Sequence, residues 1–414
     1  MKVLWFSNSS AAAYSKSVKG TGGWMVALDI AMQERVELHV AYHYPYRQDA
    51  FQNGKTNYHP IYTGNIVVEN LKHRFFPSHH KDLTDEYLKI VKEVNPDIIH
   101  IHGSENDYHC IAGHTDIPIV LSIQGIPTVI SKKYLSGFHG KFLNTKIGKQ
   151  TLQTAVFGRH SFGSGFHNLQ RLSRIEQENF PKISNIIGRT DWDRRITRVL
   201  SPNSRYFVGN EALRDSFYQN EWHKEVPKDK LIIHTTNGNT YFKGFETMCY
   251  ALTLLNQIGL DVEWRVAGVS ERSEINKITK KYLKKNYPQK GLILMGSLDE
   301  KGLVNSLLTS HIYVMPSHIE NSPNNLCEAM LLGMPCITTL AGGSDSIIIN
   351  KKDGLVIQDG DPWSMAGAVL ELKNNWDRAI AYGQAARKHA LIRHDRKAIV
   401  DDLIQTYQEI IDDK

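Results

Sequence analysis

Cysteine is scarce in this 414-residue sequence: there are four, Cys110, Cys249, Cys327 and Cys336, none forming a CxxC pair and each set in an apolar run. That argues against a disulfide-stapled scaffold and a thiolate metal site, and fits buried thiols in a reducing cytoplasm. Long apolar stretches are missing too. Nowhere do ~18 apolar residues follow one another, the length that spans a bilayer. The opening MKVLWFSNSS turns polar after a four-residue apolar run, so it reads as a first strand and not as a secretory signal. No GxGxxG follows that strand with a ribose-binding acid about 20 residues on, which disfavours a nicotinamide-dependent oxidoreductase. No recognition motif accompanies the basic residues as a nucleic-acid module would require.

What is present is ordinary globular content, 41% hydrophobic and 22% charged. A chain of this length exceeds what one core serves, so two domains are expected. The net charge of +6 and pI near 8.9 weakly favour anionic partners. Strand-like segments occur at 3–6, 36–41, 97–101, 119–123 and 185–187. After a polar stretch at 219–230 the rhythm restarts with LIIHTT, VEWRVAG, LILMG, IYVMP, PCITT and GLVIQ. Helical periods separate these strands; in 244–258, Phe245, Met248, Leu252 and Leu255 recur at spacings of three and four. Strands alternating with helices imply parallel sheets covered on both faces. The expectation is α/β with two Rossmann-like, doubly wound domains, 1–222 and 223–394, facing one another across an interdomain cleft.

In such sheets ligands bind beyond the carboxyl ends of the strands. The distinctive residues cluster there: Gly22, Gly23 and Trp24 after the first strand, His102 and Gly103 after the third, Gln124 and Gly125 after the fourth, Arg189 after the fifth. In the second half Asn237, Lys243, Gly244 and the segment SHIENSPNNLCEAMLLGMPCITT (317–339) occupy the equivalent edge. Within that segment Ser322 suits an N-cap and Pro323 a first helical position. The following helix would offer the N–H groups of Asn324 and Asn325, with its positive dipole end, to an anion such as a diphosphate. Glu320 and Glu328, eight residues apart, would repel that anion but accept hydrogen bonds from hydroxyls. Hydroxyls on both sides of a diphosphate describe a nucleotide sugar.

With these residues the chain resembles the retaining glycosyltransferases of family 4, which share the GT-B fold. The resemblance rests on Glu320-x7-Glu328 with EAMLLGMPCITT, Ala341-Gly342-Gly343, Asp353-Gly354-Leu355, Lys243-Gly244-Phe245, PDIIHIHG and Gly22-Gly23. It implies that Glu328 holds the donor ribose, that Glu320 contacts the transferred sugar and that Lys243 neutralises the diphosphate, with no metal or other cofactor. Gly22 and Gly23 would form the loop near the donor phosphate. Two positions depart from the family pattern. Asn237 stands where an Arg is common, six residues before the clamping Lys, and Gln124 stands where His is frequent. Arg189 is then a candidate compensating cation, or else half of a structural ion pair. His102 and Trp24 are candidates for the acceptor side.

His100 and His102 read as a packed or cleft-lining pair, because no carboxylate or Cys cluster completes a metal site. Asp191-Trp-Asp193 imitates a metal-binding DxD, but Thr190 or Asp191 more simply caps a helix there. The helix at 395–414 is expected, by fold analogy, to cross back to the first domain. Residues 131–205 carry a charge of +10 while the rest sums to −4, and hold Phe138, Phe142, Phe157, Phe162 and Phe166. Such a segment suits an anionic membrane surface or a polyprenyl-diphosphate-linked acceptor, its bland alternative being a solvated basic face over a Phe core. The expected protein is cytoplasmic, peripheral at the inner face of the membrane, and transfers sugar from a nucleotide donor to a glycan or lipid-linked saccharide in surface polysaccharide biosynthesis. A catalytically weak nucleotide-sugar binder and a phosphorylase or epimerase of the same architecture are the alternatives.

Overall fold

The first strand is apolar from Val3 to Phe6 because both of its faces are covered there. Val3 and Trp5 enter one buried cluster and Leu4 and Phe6 another, the side-chain alternation of a strand inside a parallel sheet. The computed structural model describes residues 1–14, 23–64, 80–144 and 162–413. Gly22, and with it the first glycine of the expected loop, lies outside the described residues.

The first sheet contains β1 (Lys2–Ser7), β2 (Glu37–Tyr44), β3 (Phe51–Asn53), β4 (Thr56–Tyr62), β5 (Ile98–His102), β6 (Ile119–Ser122), β7 (Asn185–Gly188) and β8 (Arg205–Val208), in the order β3-β4-β2-β1-β5-β6-β7-β8. All neighbours are parallel except β3 and β4. The second sheet contains β9 (Leu231–Thr236), β10 (Val262–Ala267), β11 (Leu292–Gly296), β12 (Ile312–Met315), β13 (Cys336–Thr339) and β14 (Leu355–Ile357), in the order β11-β10-β9-β12-β13-β14 and parallel throughout.

β3, β4 and β8 lie outside the apolar runs that mark strands in the sequence. β4 alternates polar and apolar residues and carries Pro60, which pairs with β2 beyond the reach of the short β3. A proline is tolerated there because its missing N–H would face an unpaired edge.

Packing divides the chain into two compact units. One comprises 1–131, 167–213 and 394–414, and the other 132–166 and 214–393. The changeover at Leu213/Arg214 precedes the 222/223 break read from the polar stretch. Residues just after it are already tied to the second unit: the Trp222 N–H donates to the Leu332 carbonyl at 2.7 Å and its indole to the Ser310 carbonyl at 2.7 Å. The last helix, Arg396–Asp412, packs Ile399, Val400, Tyr407 and Ile410 into the core of the first unit, where the Tyr407 hydroxyl accepts from Trp5 Nε1 at 3.0 Å and meets His100 Nδ1.

Part of the basic, aromatic segment belongs to the second unit. Phe138 is buried and stacks with Phe142 against Tyr282, while Tyr134 meets Tyr241, Phe242 and Phe166. Phe138, Tyr134 and Tyr241 are buried, and Phe142, Phe166, Phe242 and Tyr282 are half-buried against them. Phe157 lies outside the described residues. Among the described residues no helix is long and apolar enough to cross a membrane.

Candidate active site

In the second sheet the strand order reverses between β9 and β12, and a doubly wound sheet opens its ligand crevice at such a reversal. The chain leaving β9 carries Asn237 and Lys243, and the chain leaving β12 carries Ser317, His318 and Glu320. Two glycines allow the approach. Gly244 has φ +68°, and a Cβ on it would lie 1.8 Å from the Pro316 carbonyl oxygen; Gly268 has φ +89°, and a Cβ there would lie 1.9 Å from the Asn237 carbonyl oxygen. No side chain fits at either place.

Lys243 Nζ meets Glu320 Oε1 at 2.6 Å, and the Ser317 hydroxyl donates to the same oxygen at 2.7 Å. Glu320 is 9% exposed and the Lys243 side chain 25%, so the charge pair is partly desolvated. Its backbone is also fixed, since the Gly343 N–H donates to the Glu320 carbonyl at 2.9 Å. Asn237 braces the lysine turn through Nδ2, which donates to the Lys243 carbonyl at 3.0 Å, while its Oδ1 is buried without a partner.

The helix after Glu320 runs Asn324–Leu332. Its N-cap is Pro323 and not Ser322, and no side chain caps it. Pro323 keeps an extended ψ of 109°, so the helix starts one residue later than the proline rule suggests. Ser322 is half-buried just before the cap. Asn325 Nδ2 donates to the Thr236 carbonyl at 2.8 Å, tying the helix start to the end of β9. The first-turn N–H groups, those of Asn324 and Asn325 among them, have no carbonyl partner within the helix.

One turn further on, Glu328 is 6% exposed and receives a two-pronged contact from Arg214, Nε to Oε1 and Nη2 to Oε2, both at 2.8 Å. Burial pushes the Glu328 carboxyl up to about 7, with Arg214 pulling the other way. Nothing in the sequence marked Arg214, whose partner is 114 residues away.

His318 was equally unmarked. It is 2% exposed and lies between Glu246, 2.7 Å from its Nε2, and Asp359, 3.5 Å from its Nδ1. Burial pulls its imidazole down, but the Glu246 and Asp359 carboxylates outweigh burial and push it up to about 9. The His318 N–H also donates to the Phe242 carbonyl at 2.8 Å, so the network joins the two loops that carry Lys243 and Glu320. An imidazolium favoured by folding stabilises fully below its unfolded value of about 6.5 and stops doing so as pH rises through about 9. Wild-type unfolding free energy, measured in urea, is therefore expected to fall between pH ~7 and ~9.5 more steeply than that of His318→Gln. Parallel profiles would mean that His318 is neutral in the folded chain.

The first sheet reverses between β1 and β5, and its expected residues gather at that edge. The His102 ring is 5.9 Å from Trp24 and the Arg189 guanidinium is 5.7 Å from the same indole. His102 is buried with neither ring nitrogen partnered, and burial holds it well below its ordinary range. His100, by contrast, is a packed histidine between Tyr407 and Ser122.

Arg189 adopts the ion-pair arrangement: 7% exposed, it contacts Glu211 at 3.2 Å and donates to the Ile123 carbonyl. Gln124 is half-buried beside that carbonyl, and Gly23 is the first residue of helix Gly23–Met32. Thr190 caps helix Asp191–Leu200 by accepting from the Asp193 N–H, and Asp193 itself is buried against the Arg189 N–H and the Tyr206 hydroxyl. Asp193 is thus structural, while Asp191 is exposed in the first turn of that helix, 3.9 Å from Arg195. Sequence reading also passed over Glu105, which accepts from the Gly125 N–H at 2.6 Å and from Asn8 at 3.3 Å beside the β5 exit.

Residues 218–389 match the family model for glycosyl transferases group 1. The UDP-Gal:alpha-D-GlcNAc-diphosphoundecaprenol alpha-1,3-galactosyltransferase of Escherichia coli is 31% identical over 98 residues, 22% of this chain and 25% of that protein. The N-acetyl-alpha-D-glucosaminyl L-malate synthase of Bacillus anthracis is 21% identical over 365 residues, 86% of each. The match spans about a quarter of the length of the first curated relatives. Among solved structures, sucrose-phosphate synthase from Thermosynechococcus elongatus superposes with a TM-score of 0.71 at 14% identity, covering 100% of this chain and 99% of that one. The likeness establishes the GT-B fold.

Proposed function

We propose that the chain, whose residues 218–389 match the family model for glycosyl transferases group 1, is a retaining, metal-independent glycosyltransferase that moves a sugar from a nucleoside diphosphate to a glycan or lipid-linked saccharide. The observation that carries this reading is the Lys243–Glu320 pair at 2.6 Å, set at the sheet's reversal just before the N-terminus of helix Asn324–Leu332, with Glu328 one turn further in. A cation and a helix N-terminus suit the diphosphate, and flanking carboxylates suit hydroxyls of ribose and sugar.

In the proposed reaction the acceptor hydroxyl attacks the anomeric carbon as its bond to the diphosphate oxygen breaks. The acceptor proton passes to the departing diphosphate, and Lys243 stabilises the charge that develops there. Glu320 holds the transferred sugar and keeps Lys243 in place. No protein nucleophile is used, and attack on the face that the diphosphate leaves gives retention. On the acceptor side, His102, Trp24 and Gln124 are proposed to meet the incoming saccharide at the edge of the first sheet. The Escherichia coli relative, named for a diphosphoundecaprenol-linked acceptor, supports a lipid-linked acceptor, with which a place at the inner membrane face is proposed, and a Staphylococcus aureus relative named for capsular polysaccharide biosynthesis supports a role in surface polysaccharide assembly.

A thermal-shift screen of the purified protein against UDP, GDP, dTDP and their common sugars, with and without magnesium, tests the donor reading. A ligand at 100 times its Kd adds about 2.7 kcal/mol. Stabilisation by one nucleoside diphosphate, equal with and without magnesium and lost in Glu328→Ala, is expected. If none stabilises the protein, the nucleotide-sugar reading fails.

A further inference from the structure

Glu328 is a buried acid of the candidate donor site, 6% exposed, and the structure does not leave it alone. Arg214 opens the second unit's main segment, where it is the N-cap of the short helix Asp215–Gln219, with φ −69° and ψ 144°. Phe217 of that helix is 0% exposed, which anchors the Arg214 backbone. The guanidinium lies 4.7 Å from the Phe217 ring and meets both oxygens of Glu328. A planar fork in a stacked, half-buried place has one geometry available, and it fixes the carboxylate rotamer with it.

Resting on the donor-site reading above, we propose that Arg214 is a positioning residue of the nucleotide site, holding Glu328 as a charged, fixed acceptor for ribose hydroxyls. A carboxylate has about four lone-pair directions. The guanidinium fork takes two, and the others remain available to donors from a nucleotide. Without Arg214 the buried carboxyl favours its neutral form, which presents one O–H donor and fewer acceptors toward a diol that itself must donate.

The other charged and titratable groups around Glu328 do not replace Arg214. Glu300, at the start of helix Glu300–Leu308, opposes ionisation. Tyr313 of β12 and Cys336 of β13 are buried and neutral, and Glu320 is occupied by Lys243 and Ser317. Arg387, from helix Trp376–Arg393, is committed to the Leu331 and Asn220 carbonyls beyond the other end of the Glu328 helix. Asp215 follows Arg214 and carries the wrong sign.

The test measures Kd for UDP, GDP and dTDP from roughly pH 5.5 to 9 in wild type, Arg214→Met and Arg214→Lys. For the nucleotide that wild type binds, affinity is expected to weaken as pH falls through about 7, where the Glu328 carboxyl titrates. Arg214→Met should raise Kd tenfold or more near neutrality and move that midpoint up by about one pH unit or more, with Arg214→Lys in between.

A second readout needs no ligand. In Arg214→Met a neutral buried carboxyl has a folded pKa above its unfolded one, so stability should fall as pH rises through the folded value, and adding Glu328→Gln should remove that slope. An unchanged Kd and midpoint in Arg214→Met, tighter binding in Arg214→Met, or equal slopes in the single and double variants would each overturn the role of Arg214. Wild type binding none of the three diphosphates would instead count against the nucleotide reading, leaving the slope to report on the pair.

Discussion

Glu320→Ala is expected to lower turnover by about two to three orders of magnitude while changing nucleoside-diphosphate affinity only a few-fold, an effect of roughly 3–4 kcal/mol confined to the transition state. Two losses combine in it. In the proposed reaction the transferred sugar loses a carboxylate, and Lys243 loses the partner that holds its ammonium 2.6 Å away. A lysine on a flexible stem stabilises a developing charge only if it is already in place, so its freedom is paid at the moment the diphosphate departs. Lys243→Ala should give a loss of the same size. Because the two side chains act as one unit, the double variant should be little worse than either single one. Steady-state kinetics and calorimetric Kd values for the three variants check this. A Glu320→Ala enzyme that loses affinity and turnover in equal measure would place Glu320 in ground-state binding and remove it from the transition state.

Glu328→Ala is expected to act on the opposite quantity. In the proposed donor mode Glu328 accepts two charge-assisted hydrogen bonds from ribose, and losing them, at about 1.5–3 kcal/mol each before compensation, gives an expected rise in nucleoside-diphosphate Kd of tens- to hundreds-fold. Turnover at saturating donor should change much less. The alanine variant also leaves Arg214 half-buried without its anion, and breaking a buried pair this way typically costs about 3–5 kcal/mol of stability. Glu328→Gln separates the two effects, since an amide oxygen can still accept from Arg214 while the charge is gone. Because the amide NH2 replaces one carboxylate oxygen and opposes the second Arg214 prong, Glu328→Gln should unfold between the alanine variant and wild type and still bind the nucleotide weakly. Wild-type affinity in a folded Glu328→Gln would show that the ribose goes elsewhere.

Much of the frame was legible because local rules state it twice. The apolar residues of LIIHTT and IYVMP mark β9 and β12, which lie inside a parallel sheet, those of LILMG mark its edge strand β11, and the spacing of Phe245, Met248, Leu252 and Leu255 matches the helix Phe245–Gln257. Strands lacking such runs, β3, β4 and β8, escaped the reading, because pairing and not composition makes them strands. The cap assigned to Ser322 was off by one residue, since the backbone of Pro323 remained extended.

The sequence by itself determined two parallel α/β units, the identities of Lys243, Glu320 and Glu328, and their place just beyond strand ends. Those follow from periodicity and from spacing along one segment. Tertiary structure alone decided which charges meet. Arg214 reaches Glu328 across 114 residues and His318 reaches Glu246 across 72, while Arg189, a catalytic candidate by position, is held by Glu211 and the Ile123 carbonyl. A buried charge is set by the partner that desolvation forces on it, and that partner is chosen by packing between distant segments, which no local pattern encodes.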